Sequence, residues 1–560
     1  MGCMLAFFSK ISGYLFSREA SSRSDLAFLT LLFGSVYLQF LGRLPFLEPD
    51  EGRYAEIPRE MLESGDFVTP FLNYVKYFEK PPLIYWLNAL SMKLFGQNEF
   101  AARLSDALCG VFTILFVYYL GRILFGRRQG IVAALILGSS AGFMIQNRMI
   151  LTDIPLTFCL TAALGCFVLA TREGESKASL YYHLFYVSAA LAVLAKGLIG
   201  MVLPGGVIFF YLLLTRQWRI LREMRLPTGL LLFFLVSAPW FVLVSMRNPD
   251  FARFFFIHEH FERFMTKVHG RYQPIWFFVP VLLAGMLPWS VLIPASFRGI
   301  WKERQLSGGE SRLYLAIWFL LIFLFFSKSN SKLIPYILPV YPAAALLVGD
   351  MIIRTLDGQM RPLWFSARIM AGLLIIIGIA GFIAPPFVPD EVLTPSSGVL
   401  IGSLFFLQGG VALLAIRRKD PIFLVTGVAL PALLLMLVAP PLVLDRVAQF
   451  KQMRGFGDEI LRQAPPDAVV ISQGVIQGLS FYAKRRVVIF GGAGELEFGS
   501  KQGDQKRWFI EYSELTPLWN SARPVYLVIN KRDLPEFKSK VLAPPRIVQE
   551  NKKRVLVCNR

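Results

Sequence analysis

Long apolar runs recur along the chain with short polar connections between most of them. Thirteen stretches approach the length of a bilayer crossing: 26–44, 103–121, 130–147, 154–171, 181–196, 197–215, 228–246, 274–297, 313–328, 333–353, 369–386, 398–416 and 421–444. Lipid offers no partner to a backbone N–H or C=O, so each such run must close its hydrogen bonds internally, and ~20 apolar residues of helix do so. The pair 181–196 and 197–215 also reads as one long helix. Of 560 residues, 55% are hydrophobic and only 17% charged. These values predict an α-helical polytopic membrane protein with about 13 transmembrane helices. No fixed-period repeat is visible, which weighs against a transporter built from inverted repeats.

The formal net charge is +20. Such a balance can mean nucleic acid, but the distribution argues for a membrane instead. Basic residues fall in alternate loops: Arg122, Arg127 and Arg128; Arg172 and Lys177; Arg216, Arg219, Arg222 and Arg225; Arg298, Lys302 and Arg304; Arg354 and Arg361; Arg417, Arg418 and Lys419. Lys10, Arg18 and Arg23 precede the first run. The positive-inside rule then places the N-terminus in the cytoplasm. An odd number of spans puts the C-terminus on the other side. In this orientation 45–102, Asp153, Lys196, 247–273 and Ser327 to Lys332 share the non-cytoplasmic face. No nucleic-acid partner is expected. The cysteines are scattered without CxxC spacing, so neither a disulfide framework nor a zinc site is indicated.

Two domains are expected. Residues 1–444 form the membrane domain, in which 45–102 is a long loop with helix-like stretches at Glu56–Glu63 and Leu83–Leu94, lying along the membrane surface. From Asp445 charge rises and short apolar runs replace long ones: Ala468–Ser472, Arg486–Phe490, Val525–Ile529 and Val555–Cys558. With helical stretches near Asp458–Arg462 and Trp508–Trp519, they predict a small, water-exposed α/β domain over 445–560. Gly491-Gly492-Ala493-Gly494-Glu495 lacks dinucleotide-loop spacing and reads as a turn.

Ionisable residues beside apolar runs are costly and usually mark function. Asp50 and Glu51 follow the first run; if the chain turns helical there, Arg53 shares a face with Asp50. The blander reading is a pair of solvated loop acids. Pro81-Pro82 stiffens the backbone after Glu79-Lys80, and a fixed Lys80 suits a phosphate; it could equally be an interfacial anchor. Asp153 precedes Pro155 and would also serve as a helix cap. His258-Glu259-His260 is a weak metal signal; if a divalent cation binds, His260 with Glu79 is the expected pair. Arg263 suits an anion through its fork. Ser327 to Lys332, followed by Tyr336, makes an anion-friendly turn, although any short loop between spans is polar.

Together, Glu48-Pro49-Asp50-Glu51-Gly52-Arg53-Tyr54, Tyr77-Phe78-Glu79-Lys80-Pro81-Pro82, Asp153-Ile154-Pro155-Leu156-Thr157 and the stretch Ser331-Lys332-Leu333 to Pro339 resemble the polyprenyl-phosphate-dependent membrane glycosyltransferases of the C type. The nearest branch is the aminoarabinose transferases of lipid A; protein O-mannosyltransferases are more distant. The Lys-Leu-Pro-x-Tyr pattern of that branch reads Lys332-Leu333-Ile334-Pro335-Tyr336 here. The resemblance implies thirteen spans, a cytoplasmic N-terminus and a periplasmic catalytic face in the bacterial inner membrane. It also implies inverting transfer of a sugar, aminoarabinose, from undecaprenyl phosphate to a phosphate of lipid A in lipopolysaccharide. Its first-loop acid maps to Asp50 and its second acid to Asp153, with Glu51 in support. Donor-phosphate ligands map to Lys80, Arg263 and Tyr336, and Arg53 and Lys332 complete the expected set. The donor is a substrate; no cofactor is needed for the chemistry, and the divalent cation stays open. A monomer surrounded by membrane lipids is expected. Alternatives are another sugar, a protein or glycan hydroxyl as acceptor, or a flippase for a lipid-linked sugar.

Overall fold

The computed structural model describes residues 21–172, 174–262, 272–359, 363–389, 393–439 and 453–560. Among them, nine helices are long and apolar enough to cross a membrane. They correspond to the expected runs 103–121, 154–171, 181–196, 228–246, 313–328, 333–353, 369–386, 398–416 and 421–444. The remaining runs are helical but shorter or broken. Run 26–44 becomes Ser22–Leu38 and run 197–215 becomes Ile199–Thr215, each of 17 residues. Run 130–147 splits into Arg127–Gly138 and Ala141–Gln146. At that break the hydroxyls of Ser139 and Ser140 bond to Leu135 O (2.5 Å) and Ile136 O (2.7 Å), a local pattern that bends and ends helices. Run 274–297 is a pair of helical pieces, Ile275–Gly285 and Ser290–Ser296, bent by 117°; Pro288 between them has no N–H for a continuing ladder. Residues 181–215 form two helices, not one, because Gly197 takes φ +79 at the end of Glu175–Lys196, a conformation glycine adopts without strain.

The described chain divides into two compact units, one drawn from 1–39, 106–245 and 252–440, the other from 40–105, 246–251 and 441–560. In the first, small residues bring helices close. A Cβ at Gly381 would lie 2.8 Å from the Gly402 Cα, so Leu363–Ile383 and Pro395–Arg418 meet backbone to backbone, as membrane helices do where glycines face each other. Buried Asp25 pairs with Arg127 at 2.5 Å and accepts the Tyr118 hydroxyl at 2.6 Å. Arg148 donates to Val36 O and Gln39 O (3.0 and 2.5 Å) and so satisfies carbonyls that the end of Ser22–Leu38 leaves open.

The second unit is built on a helix, Asp50–Ser64, whose charged residues are largely buried. It survives because they pair. Arg59 binds Glu56 (2.6 Å) and Glu63 (2.6 Å), and Arg103 grips Glu51. The helix stops at Gly65, φ +71, whose N–H returns to Met61 O. A two-residue turn, Asn73-Tyr74, with φ of 53 and 59, joins β1 (Phe71–Leu72) to β2 (Val75–Lys76) in the manner of a type I′ hairpin. The expected strands appear as β3 (Val469–Gln473), β4 (Val488–Phe490), β6 (Val525–Asn530) and β8 (Arg554–Cys558). Two more were not anticipated: β5 (Phe509–Ile510) and β7 (Arg546–Glu550). The sheet order is β5-β4-β3-β6-β8-β7, with β8 antiparallel to both neighbours and the first four strands parallel. Ile471, Leu527, Val557, Trp519 and Phe537 form its core.

Candidate active site

Asp50 opens its helix, and its carboxylate is half exposed, at 46%. One turn on, Arg53 lies on the same face and donates to Asp50 Oδ1 at 2.8 Å. Arg53 itself is buried, at 6% exposure. Its Nε donates to Glu495 Oε1 at 3.1 Å, and its Nη2 pairs with Glu495 Oε2. Gln477 Nε2 holds Glu495 Oε1 from the other side at 2.7 Å. Burial disfavours the guanidinium charge, but Tyr77, Glu495, Tyr54 and Glu79 around it hold it more firmly protonated than usual. Charge-assisted forks of this kind are directional, so Arg53 sets the direction in which Asp50 points. Its donors here face carboxylates of the protein.

Glu51 is engaged within the protein. It is 1% exposed. Its Oε1 and Oε2 accept from Arg103 Nε and Nη2 at 2.7 and 2.8 Å, and Oε2 also takes the Leu47 N–H at 2.9 Å. Arg103 extends onward to Leu41 O, Leu44 O and Pro45 O. Glu51 therefore ties down the chain that leads into Asp50, and both its oxygens are committed. Lys80 sits ahead of the helix Leu83–Phe95, and its Nζ donates to Glu79 O at 2.8 Å. The phenols of Tyr77 and Tyr85 are buried with no hydrogen-bond partner among the described residues.

The other unit holds a second constellation. Asp153 begins the helix Asp153–Ala170 and Lys196 ends Glu175–Lys196. Both are buried, and Lys196 Nζ lies 2.5 Å from Asp153 Oδ1. The same ammonium sits 4.1 Å from the centre of the Tyr336 ring, a cation–π distance. Tyr336 belongs to a 3-10 segment, Ile334–Val340. Lys332 turns into its own loop and donates to Ser329 O (2.5 Å) and Gln273 O (2.8 Å); burial lowers its pKa. Asp106 Oδ1 accepts the Leu151 N–H at 3.3 Å and steadies the approach to Asp153.

Two participants were missed as site residues. Lys196 had a visible signal, a lone cation closing an apolar run on the expected face. Glu495 had none, because its partner lies 442 positions away and its loop reads as a turn. That loop does turn, with positive φ at Gly491, Gly492 and Gly494, and the turn delivers Glu495 to Arg53. Arg263 and the side chain of His260 lie outside the described residues. Among those described, no three His, Cys, Asp or Glu side chains gather as a metal site would require.

Known proteins share this architecture. The family model described as dolichyl-phosphate-mannose-protein mannosyltransferase matches residues 46–255, and the aminoarabinose transferase C-terminal domain matches 457–559. An undecaprenyl phosphate-alpha-4-amino-4-deoxy-L-arabinose arabinosyl transferase from Edwardsiella ictaluri is 31% identical over 511 residues, covering 88% of this chain and 90% of the relative. Its namesake from Yersinia enterocolitica is 31% identical over 518 residues, covering 89% and 91%. The crystal structure of ArnT from Cupriavidus metallidurans bound to undecaprenyl phosphate superposes with a TM-score of 0.84 at 28% identity, covering 96% of this chain and 99% of that one. This chain is a multi-pass membrane protein that belongs to the family of undecaprenyl phosphate-alpha-4-amino-4-deoxy-L-arabinose arabinosyl transferases.

Proposed function

We propose that this protein is an inverting glycosyltransferase that moves 4-amino-4-deoxy-L-arabinose from undecaprenyl phosphate to a phosphate of lipid A. The observation that carries this reading is the setting of Asp50: a half-exposed carboxylate fixed by a buried guanidinium that Glu495 anchors in turn. In the reaction the bond between the anomeric carbon and the phosphate oxygen breaks. An acceptor phosphate oxygen attacks the opposite face of the sugar, and undecaprenyl phosphate leaves. Charge gathers on that leaving phosphate, where Lys80 and Arg263 are suited to stabilise it. Tyr336 and Lys332 are further ligands in this reading. A phosphate acceptor is already anionic and needs no base, so Asp50 orients the acceptor, binds the amino group of the sugar, or supports positive charge at the anomeric carbon. A hydroxyl acceptor would instead make Asp50 a general base. Asp153, paired with Lys196, orients and does not abstract a proton.

The bias of Arg and Lys among the loops supports a cytoplasmic N-terminus and a periplasmic active face in the bacterial inner membrane, and the same reading takes the protein as a monomer. The need for a divalent cation stays open in this reading; undiminished transfer by chelator-treated protein would exclude one. The test of the whole is reconstitution of purified protein in vesicles with the undecaprenyl-phosphate sugar and lipid A. Mass spectrometry of lipid A then identifies any added sugar. Donor crossing the bilayer with no sugar transferred would overturn the assignment.

A further inference from the structure

The C-terminal sheet carries a cavity that the transfer reaction does not use. The chain enters at β3, lays β4 and β5 on one side, and returns to place β6 on the other side of β3. In open parallel sheets, ligands bind beyond the carboxyl ends of the strands where the winding reverses in this way. Val475, Ile476 and Gln477 leave the end of β3 there. The β7–β8 turn reaches the same end, because Arg554 pairs with Asn530, the last residue of β6. The cavity they line is about 260 Å³, just below the ~300–1,000 Å³ of common small-molecule sites. It suits a head group and is too small for a lipid chain.

Its ionisable lining is Glu48, Lys553 and Arg554. Arg554 Nη1 donates to Gln473 O at 3.1 Å, which sets the guanidinium across the end of β3. Glu48 Oε1 accepts the Gly478 N–H at 2.8 Å. Its Oε2 is sealed from solvent with no hydrogen-bond partner among the described residues. Leaving such an atom unmatched costs about 1–3 kcal/mol, and more when it is charged, which favours the protonated carboxyl. Burial pushes the Glu48 carboxyl up to about 8, against the pull of the Gly478 N–H, Arg53 and Arg554, while Glu495 adds to the rise. At neutral pH Glu48 is then uncharged and does not offset the two cations, whereas its ionisation at higher pH would.

We propose that this cavity is a phosphate-monoester site in which Arg554 and Lys553 supply the charge. The forked guanidinium matches phosphate geometry, and Lys553, which is exposed, adds a point charge at the rim. The phosphate can belong to the glycolipid acceptor or be a free anion. Binding here needs neither donor lipid nor turnover, so it can succeed or fail independently of the transferase reading.

The experiment is titration calorimetry of inorganic phosphate into full-length protein carrying Lys80→Ala, which removes a donor-phosphate lysine. Binding is expected, and Arg554→Gln should weaken it at least tenfold. Lys553→Gln, at an exposed position, should weaken it severalfold with thermal stability unchanged, which covers the case in which the Arg554 variant folds poorly. Binding should decline from pH 7 to 9, and Glu48→Gln should abolish that decline. Unchanged affinity in the Lys553 and folded Arg554 variants, or the same pH profile after Glu48→Gln, would overturn the site. Addition of lipid A separates the sources: competition with phosphate assigns the site to the acceptor, and simultaneous binding assigns it to a free anion.

Discussion

Lys196 meets Asp153 across the gap between two helices: its Nζ lies 2.5 Å from the carboxylate and 4.1 Å from the ring centre of Tyr336. One ammonium thus links the start of one helix, the end of the next and a 3-10 segment some 140 residues further on. Its charge is neutralised on one side and cradled by an aromatic face on the other.

Removing one partner of a buried pair leaves the other charge stranded, at ~3–5 kcal/mol. Lys196→Met is therefore expected to lower the melting temperature of the detergent-purified protein and to abolish transfer. The double variant Asp153→Asn with Lys196→Met should recover most of the stability and remain inactive. Turnover by the double variant would show that Asp153 has no part in the chemistry.

Glu495 has its effect on Asp50 through Arg53. Arg53→Lys keeps the charge but loses the fork, and Glu495→Ala removes the anchor. Both are expected to lower kcat by about tenfold or more, which corresponds to ~1.4 kcal/mol, with smaller effects on KM. Steady-state kinetics with both substrates checks this; a pure KM effect in both would return Arg53 to phosphate binding.

Arg103 holds Glu51 and three backbone carbonyls at once. A lysine cannot span these acceptors. Arg103→Lys is expected to cost ~3 kcal/mol or more of stability, because Glu51 loses its partner in a dry site. Thermal unfolding measures this, and Glu51→Gln, which strands the Arg103 charge in the same dry site, should cost a comparable amount.

Glu48 makes stability depend on pH. Its folded pKa is about 8 against an ordinary 4.5, so between these values the folded state binds the proton that the unfolded state has released. The contribution of Glu48 is fully present below pH 4.5 and is lost as pH rises towards 8, with a slope approaching ~1.4 kcal/mol per pH unit. Glu48→Gln removes that slope. Relative to wild type, the variant is expected to gain melting temperature from pH 5 to pH 8 and no more above it. A constant difference across that window would place Glu48 in water.

The membrane part of the fold was legible because lipid imposes one rule on every crossing, and an apolar window reads it directly. Legibility failed where side chains interfere with that rule, as at Ser139-Ser140. The strand β5 has two residues, too few for a pattern, and it interrupts the stretch 508–519 that reads as one helix. The edge strand β7 is Arg-Ile-Val-Gln-Glu, mostly exposed, and so shows no alternation against a core. Asp50 and Asp153 were legible as costly charges beside spans. Arg53 was legible as a cation beside Asp50, but its pairing with Glu495 was not, since a phosphate and Glu495 offer a guanidinium the same geometry. Lys332 was legible as a cation in a Ser-rich turn; that Ser329 O and Gln273 O hold its ammonium was not.

The pairing of Arg53 with Glu495 makes the C-terminal segment a poor candidate for free exchange between relatives. A graft that replaced residues 453–560 with a foreign α/β sequence could fold and still misdirect Asp50, unless the incoming loop placed an acid where Glu495 stands. The loop that carries Glu495 would in this way set a limit on which first-loop helices can be joined to it.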